Sequence, residues 1–107
     1  MTEELWDEVR RLAVRLDETG ALAPEQRTLL QILKIGEEFG EAAEAVIGAQ
    51  GANPRKGHSH TWADVERELY DVLVTTMVAL LRLNPAPAKP FEEHLKRAVR
   101  RTLGEAG

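Results

Sequence analysis

The sequence predicts an all-α fold, a helical bundle of about four helices, two long and two short, that is oligomeric. Three observations lead there. Apolar residues recur at three- and four-residue spacing along most of the chain, no stretch alternates with the period of two that a strand requires, and prolines and glycines cut the chain into four such segments. A length of 107 residues makes residues 1–107 a single domain.

The first helix is carried by Leu5, Val9, Leu12 and Leu16, with Trp6 and Ala13 beside them and Asp7, Arg10, Arg11 and Arg15 opposite. It is expected to end near Gly20. Pro24 suits the first turn of a second helix, whose apolar series Leu29, Ile32, Leu33, Ile35, Phe39, Ala43, Val46 and Ile47 runs to Gly48 and Gly51. That helix has about 24 residues, about 36 Å at 1.5 Å per residue. Residues 51–60 show no apolar period and read as a basic loop. Thr61 with Asp64 resembles a capping box and opens a third helix through Val65, Leu69, Val72, Leu73, Met77, Leu80 and Leu81, which stops at Asn84-Pro85. After Pro85, Pro87 and Pro90, a short basic helix carries Phe91, Leu95, Ala98, Val99 and Leu103.

Composition narrows the function. There is no Cys, which excludes disulfide scaffolds, thiolate metal sites and cysteine nucleophiles and fits a reducing compartment, so a cytoplasmic location is expected. A formal charge of −4 argues against general affinity for nucleic acid. With neither a signal-peptide pattern nor an apolar run of about 18 residues, no membrane association is expected. A short chain covers its apolar surface poorly, and the third helix is apolar around most of its circumference, so a homodimer or homotetramer is expected.

Chemistry is concentrated in carboxylates. Glu37, Glu38 and Glu41 share an arc roughly 100° wide on the second helix, and Glu68 and Asp71 are i,i+3 neighbours on the third. If the two long helices pack antiparallel, the two sets face one volume and offer it several hard oxygen donors, as a divalent cation such as Mg²⁺ requires. The ordinary alternative for the second-helix set, Glu44 included, is a solvated face. Asp71 fits such an account less well, because it lies among Leu69, Val72, Leu73 and Val74; a salt bridge to Arg67 or Arg82 is its non-functional alternative.

The run Lys34-Ile35-Gly36-Glu37-Glu38-Phe39-Gly40-Glu41, followed after a loop by Glu68-Leu69-Tyr70-Asp71-Val72-Leu73, resembles the MazG-like all-α nucleoside triphosphate pyrophosphohydrolases. That family pairs a Glu-Glu-x-x-Glu helix with a Glu-x-x-Asp helix in this order. The resemblance covers residues 25–83 and implies Mg²⁺-dependent hydrolysis of a nucleoside triphosphate between the α and β phosphates, with Mn²⁺ as a substitute metal. It implies that Glu38, Glu41, Glu68 and Asp71 are metal ligands and that Glu37 binds a second cation or orients the attacking water. A house-cleaning role in nucleotide metabolism follows from the same likeness.

Around this core, Lys34 is placed either to pair with Glu38 or to reach a phosphate, and Asn53, Arg55 and Lys56 in the loop are candidate phosphate contacts. The loop lacks the Gly-Lys-Ser/Thr ending of a P-loop. Trp62 is expected to pack at the start of the third helix, stacking on a base being the alternative, and Gly36 and Gly40 are expected to mark a close helix approach. A di-iron bundle is disfavoured because no His follows a Glu by three residues. The remaining alternative is a non-catalytic helical oligomerisation or regulatory module.

Overall fold

Local signals in the chain translate directly into helix limits. In the computed structural model, which describes residues 3–104, the elements are α1 (Glu3–Thr19), α2 (Pro24–Gln50), α3 (Trp62–Leu83) and α4 (Ala88–Leu103). There is no strand among the described residues, only one antiparallel bridge between Asn53 and Gly57 in the loop. Pro24 opens α2, with Gln26 Oε1 accepting from the Ala23 N–H, and Gly51 closes it at φ +70°, in the left-handed region where a side chain is strained. At α3 the expected capping box forms: the Thr61 hydroxyl accepts from the Asp64 N–H at 3.2 Å, and the Asp64 carboxylate accepts from the Thr61 N–H at 2.8 Å.

The two long helices form an antiparallel hairpin, in register through Gln31, whose Nε2 donates to the Thr75 carbonyl. Their contact is built on small residues, with Ala45, Ala49 and Val65 buried and Val46 packed beside them. Small side chains let the helix axes approach, which brings longer polar groups at the rim of the contact within reach of one another. The second cluster joins α1 to the other half of α3 through Trp6, Val9, Met77 and Val78. Trp6 is fully buried there.

α4 differs from the expected bundle member. None of its residues is buried, and only Ala88 at its start packs on the Trp6 cluster, so one chain closes three helices and leaves the fourth projecting. The radius of gyration is 17.0 Å, where a compact chain of this length has about 13 Å.

The burial of α2 is also inverted with respect to its composition. Leu29, Leu33, Phe39 and Ile47 of the expected apolar series are exposed, while Ala42, Ala45 and Ala49 are covered by α3. The exposed positions Leu29, Leu33, Gly36, Gly40 and Ile47, with half-buried Ala43, follow a 4-3-4-3-4 spacing, the repeat of a coiled-coil seam. A Cβ built on Gly36 or Gly40 meets nothing within 4 Å, so the close helix approach expected at these glycines does not occur inside one chain. Trp62 likewise does not pack as expected: it is 59% exposed at the first turn of α3.

Candidate metal centre

On the covered side of α2 the sequence places polar groups at 27, 31, 34, 38 and 41, a 4-3-4-3 spacing that keeps Arg27, Gln31, Lys34, Glu38 and Glu41 along one rim of the hairpin. The facing stripe of α3 carries Glu68. Glu38, Glu41 and Glu68 each turn one carboxylate oxygen into a common volume, all within 4.8 Å of one another. Glu38 is the most enclosed of the α2 carboxylates, 13% exposed in its side chain, because it lies at the α2–α3 contact rather than on the solvated face. Glu68 Oε2 is buried and has no hydrogen-bond partner among the described residues.

Three like charges this close resist ionisation together. The Glu41 carboxyl is raised above its ordinary value, first by the charge on Glu38, then by loss of hydration and by the charges on Glu68 and Glu37. Among the described residues the one cation paired with the group is Lys34, whose Nζ lies 3.4 Å from Glu38 Oε1. This is the ion pair named as one alternative for Lys34.

The donor set suits a hard divalent cation. Mg²⁺ takes oxygen ligands at about 2.0–2.1 Å, so adjacent ligands are about 3 Å apart, and small rotations of three Glu side chains span the difference. Such an ion would complete the coordination of Glu68 Oε2 and remove the repulsion at Glu41 in one event. Imidazole and thiolate are absent from the set, which disfavours zinc.

Of the remaining residues implicated by sequence, Asp71 lies one turn along α3 from Glu68, exposed and outside the group of three. Neither proposed salt-bridge partner takes it, since Arg67 pairs with Asp64 and Arg82 with Asp17. Glu37 is exposed at the mouth of the group, close enough to raise Glu41. In the loop, Asn53 Oδ1 accepts from the backbone N–H of Arg55 at 2.9 Å and of Lys56 at 3.0 Å, so its carbonyl side shapes the turn. Lys56 lies 3.9 Å from Glu44, one turn beyond Glu41, and Arg55 is exposed without an ion pair among the described residues. Cations therefore flank the carboxylates on both sides along the rim.

Sequence reasoning missed Arg27, Gln31 and Asp17 as neighbours of this rim. The signal was present in the 4-3-4-3 recurrence of polar residues on α2, hidden by the larger apolar series on the other face. No family model, curated protein or solved structure matches the chain.

Proposed function

We propose that this protein is a Mg²⁺-dependent nucleoside triphosphate pyrophosphohydrolase that forms a homodimer or homotetramer and acts in the cytoplasm. The observation that carries the reading is the buried, unpartnered Glu68 Oε2 beside Glu38 and Glu41. A carboxylate oxygen left so is costly, by about 1–3 kcal/mol or more for a charged group, unless something absent from the bare chain satisfies it. The resemblance of residues 25–83 to the MazG-like enzymes supplies the reaction class.

Bound divalent cations neutralise phosphate charge and activate water at neutral pH. Glu38, Glu41 and Glu68 hold them, joined by Asp71 one turn away, with Mn²⁺ as a substitute. Glu37, at the mouth, orients a water for attack on the α phosphorus. A new P–O bond forms there as the bond to the β phosphate breaks, releasing a nucleoside monophosphate and pyrophosphate. Lys34, Arg55, Lys56 and the free amide of Asn53 are the donors available to phosphate oxygens.

The oligomer is supported by surface area. One chain exposes 7837 Å², about 1,900 Å² more than the roughly 5,900 Å² expected for a compact monomer of this mass. An obligate interface removes an amount of this order from each partner. The heptad-spaced face of α2, with room at Gly36 and Gly40, fits a second copy of the same helix.

The test is pyrophosphate release from a panel of ribo- and deoxynucleoside triphosphates with and without Mg²⁺. Release should require the metal and fall at least about 100-fold in Asp71→Asn, no less than the loss of an outer-shell partner costs at a metal. Glu44→Gln, outside the carboxylate group, should retain activity. No release from any nucleotide, together with no Mg²⁺ binding, would leave the non-catalytic oligomerisation module.

A further inference from the structure

A second polar cluster lies along the same rim of the hairpin, where α1 crosses the start of α2 and the end of α3. Arg82 Nη1 donates to Asp17 Oδ1 at 2.8 Å, and Arg27 Nη1 lies 3.7 Å from Asp17 Oδ2. These groups, with Gln31 and Lys34, line a cavity of about 150 Å³. Two arginines thus share one carboxylate, and Lys34 adds a third positive charge whose ion-pair partner, Glu38, lies outside the lining, so the net excess is one positive charge. Arg82 is 12% exposed in its side chain, and its buried Nε has no hydrogen-bond partner among the described residues. Glu38 also neutralises Lys34, but a cation held by the carboxylates competes for that partner.

We propose that this cavity is a binding site for a phosphate anion. The guanidinium groups offer forked donors and Lys34 a mobile point charge, the combination that phosphate oxygens recognise. The space holds several waters, room enough for a phosphate group. Resting on the hydrolase reading, the site takes the β and γ phosphates, the half of the substrate that leaves as pyrophosphate. Lys34 sits one turn from Glu38, about 6 Å along the helix, and the cavity begins there, on the side away from the loop. A triphosphate whose α phosphorus lies at the carboxylates has about this reach. Arg27, Lys34 and Arg82 are then specificity residues for the length of the phosphate chain.

The experiment follows the Nε–H resonance of Arg82, assigned by its loss in Arg82→Lys, in the ¹⁵N-labelled full chain with a chelator present and ionic strength held constant by chloride. Pyrophosphate should shift it saturably, and Lys34→Gln should weaken that binding at least about fivefold with the fold unchanged, since Lys34 is half exposed. Inorganic phosphate and a non-hydrolysable triphosphate analogue then separate the sources of the anion. A response to both supports the assignment, whereas a response to inorganic phosphate alone overturns the placement of the substrate's distal phosphates. No saturable response to any of the three overturns the site. Because no turnover is required, pyrophosphate binding in a protein that hydrolyses nothing would overturn the hydrolase reading and leave the anion site standing. Turnover without a response at Arg82 would do the reverse.

Discussion

Glu41 shows what crowding of like charges does to a carboxyl group. Its carboxyl holds a proton more tightly in the folded chain than in the unfolded one, chiefly because of Glu38. Above the ordinary carboxylate value the folded state therefore binds more protons than the unfolded state, and stability declines as pH rises through the window between the two values. The metal-free protein should melt at a higher temperature at pH near 5 than at pH 7, read by circular dichroism in chelator. Glu41→Gln should flatten that slope and stabilise the metal-free chain at neutral pH. Below the window the trend reverses, since Asp64 is held below its ordinary value, first by the Thr61 backbone N–H, and loses its cap as pH falls through that lowered value. At this scale the sequence was informative about residue type and spacing but not about surroundings. The acidic motifs identified Glu38, Glu41 and Glu68. Asp71, set in sequence among Leu69, Val72 and Leu73, is exposed, as Leu69 and Leu73 themselves are in one chain. Trp6 and Trp62 both open helices, yet only Trp6 is covered, since burial depends on which helix crosses above.

Among the elements, α2 and its following loop are the most tightly specified. A Cβ on Gly48 would collide with His60 Nδ1 and Ser59 Oγ, and one on Gly51 with the His58 ring, whose Nδ1 is 3.1 Å from the Ala49 carbonyl. The loop is therefore seated on the last turns of α2 and carries Arg55 and Lys56 to one end of the carboxylate rim. Gly48→Ala should cost about 1–3 kcal/mol, the range for overpacking a tight contact, with the loss read from urea unfolding. Helix limits were legible because their signals are local: Pro24, Gly51, Thr61 with Asp64, and Asn84. The face that α2 turns inward was not legible. Leu29, Leu33 and Phe39 dominate any apolar count, whereas Ala42, Ala45 and Ala49 achieve a closer approach by being small.

Taken whole, the chain exposes large apolar side chains on all four of its helices. α4 projects with Leu95, Val99 and Leu103 uncovered, and α2 presents its heptad face to solvent. Light scattering should return an integral multiple of 11.9 kDa, two or four chains, and no monomer at micromolar concentration. Among the described residues no helix is long and apolar enough to cross a membrane. The four-helix composition was legible from the chain; the openness was not, because periodicity reveals that a helix has an apolar face and is silent on whose atoms cover it.

The 3.4 Å contact between Lys34 and Glu38 has a thermodynamic corollary. The carboxylate group already contains a tethered ammonium, so loading the proposed metal would be an exchange of one cation for another rather than the filling of a vacancy. Such an exchange would be reciprocal: whatever draws Lys34 away would tighten the proposed metal, and the metal, by releasing Lys34, would tighten whatever Lys34 turns to. Lys34→Gln should therefore raise Mg²⁺ affinity in a calorimetric titration while lowering affinity for pyrophosphate. Opposite signs from one substitution would make this lysine the coupling element between the two ends of the rim.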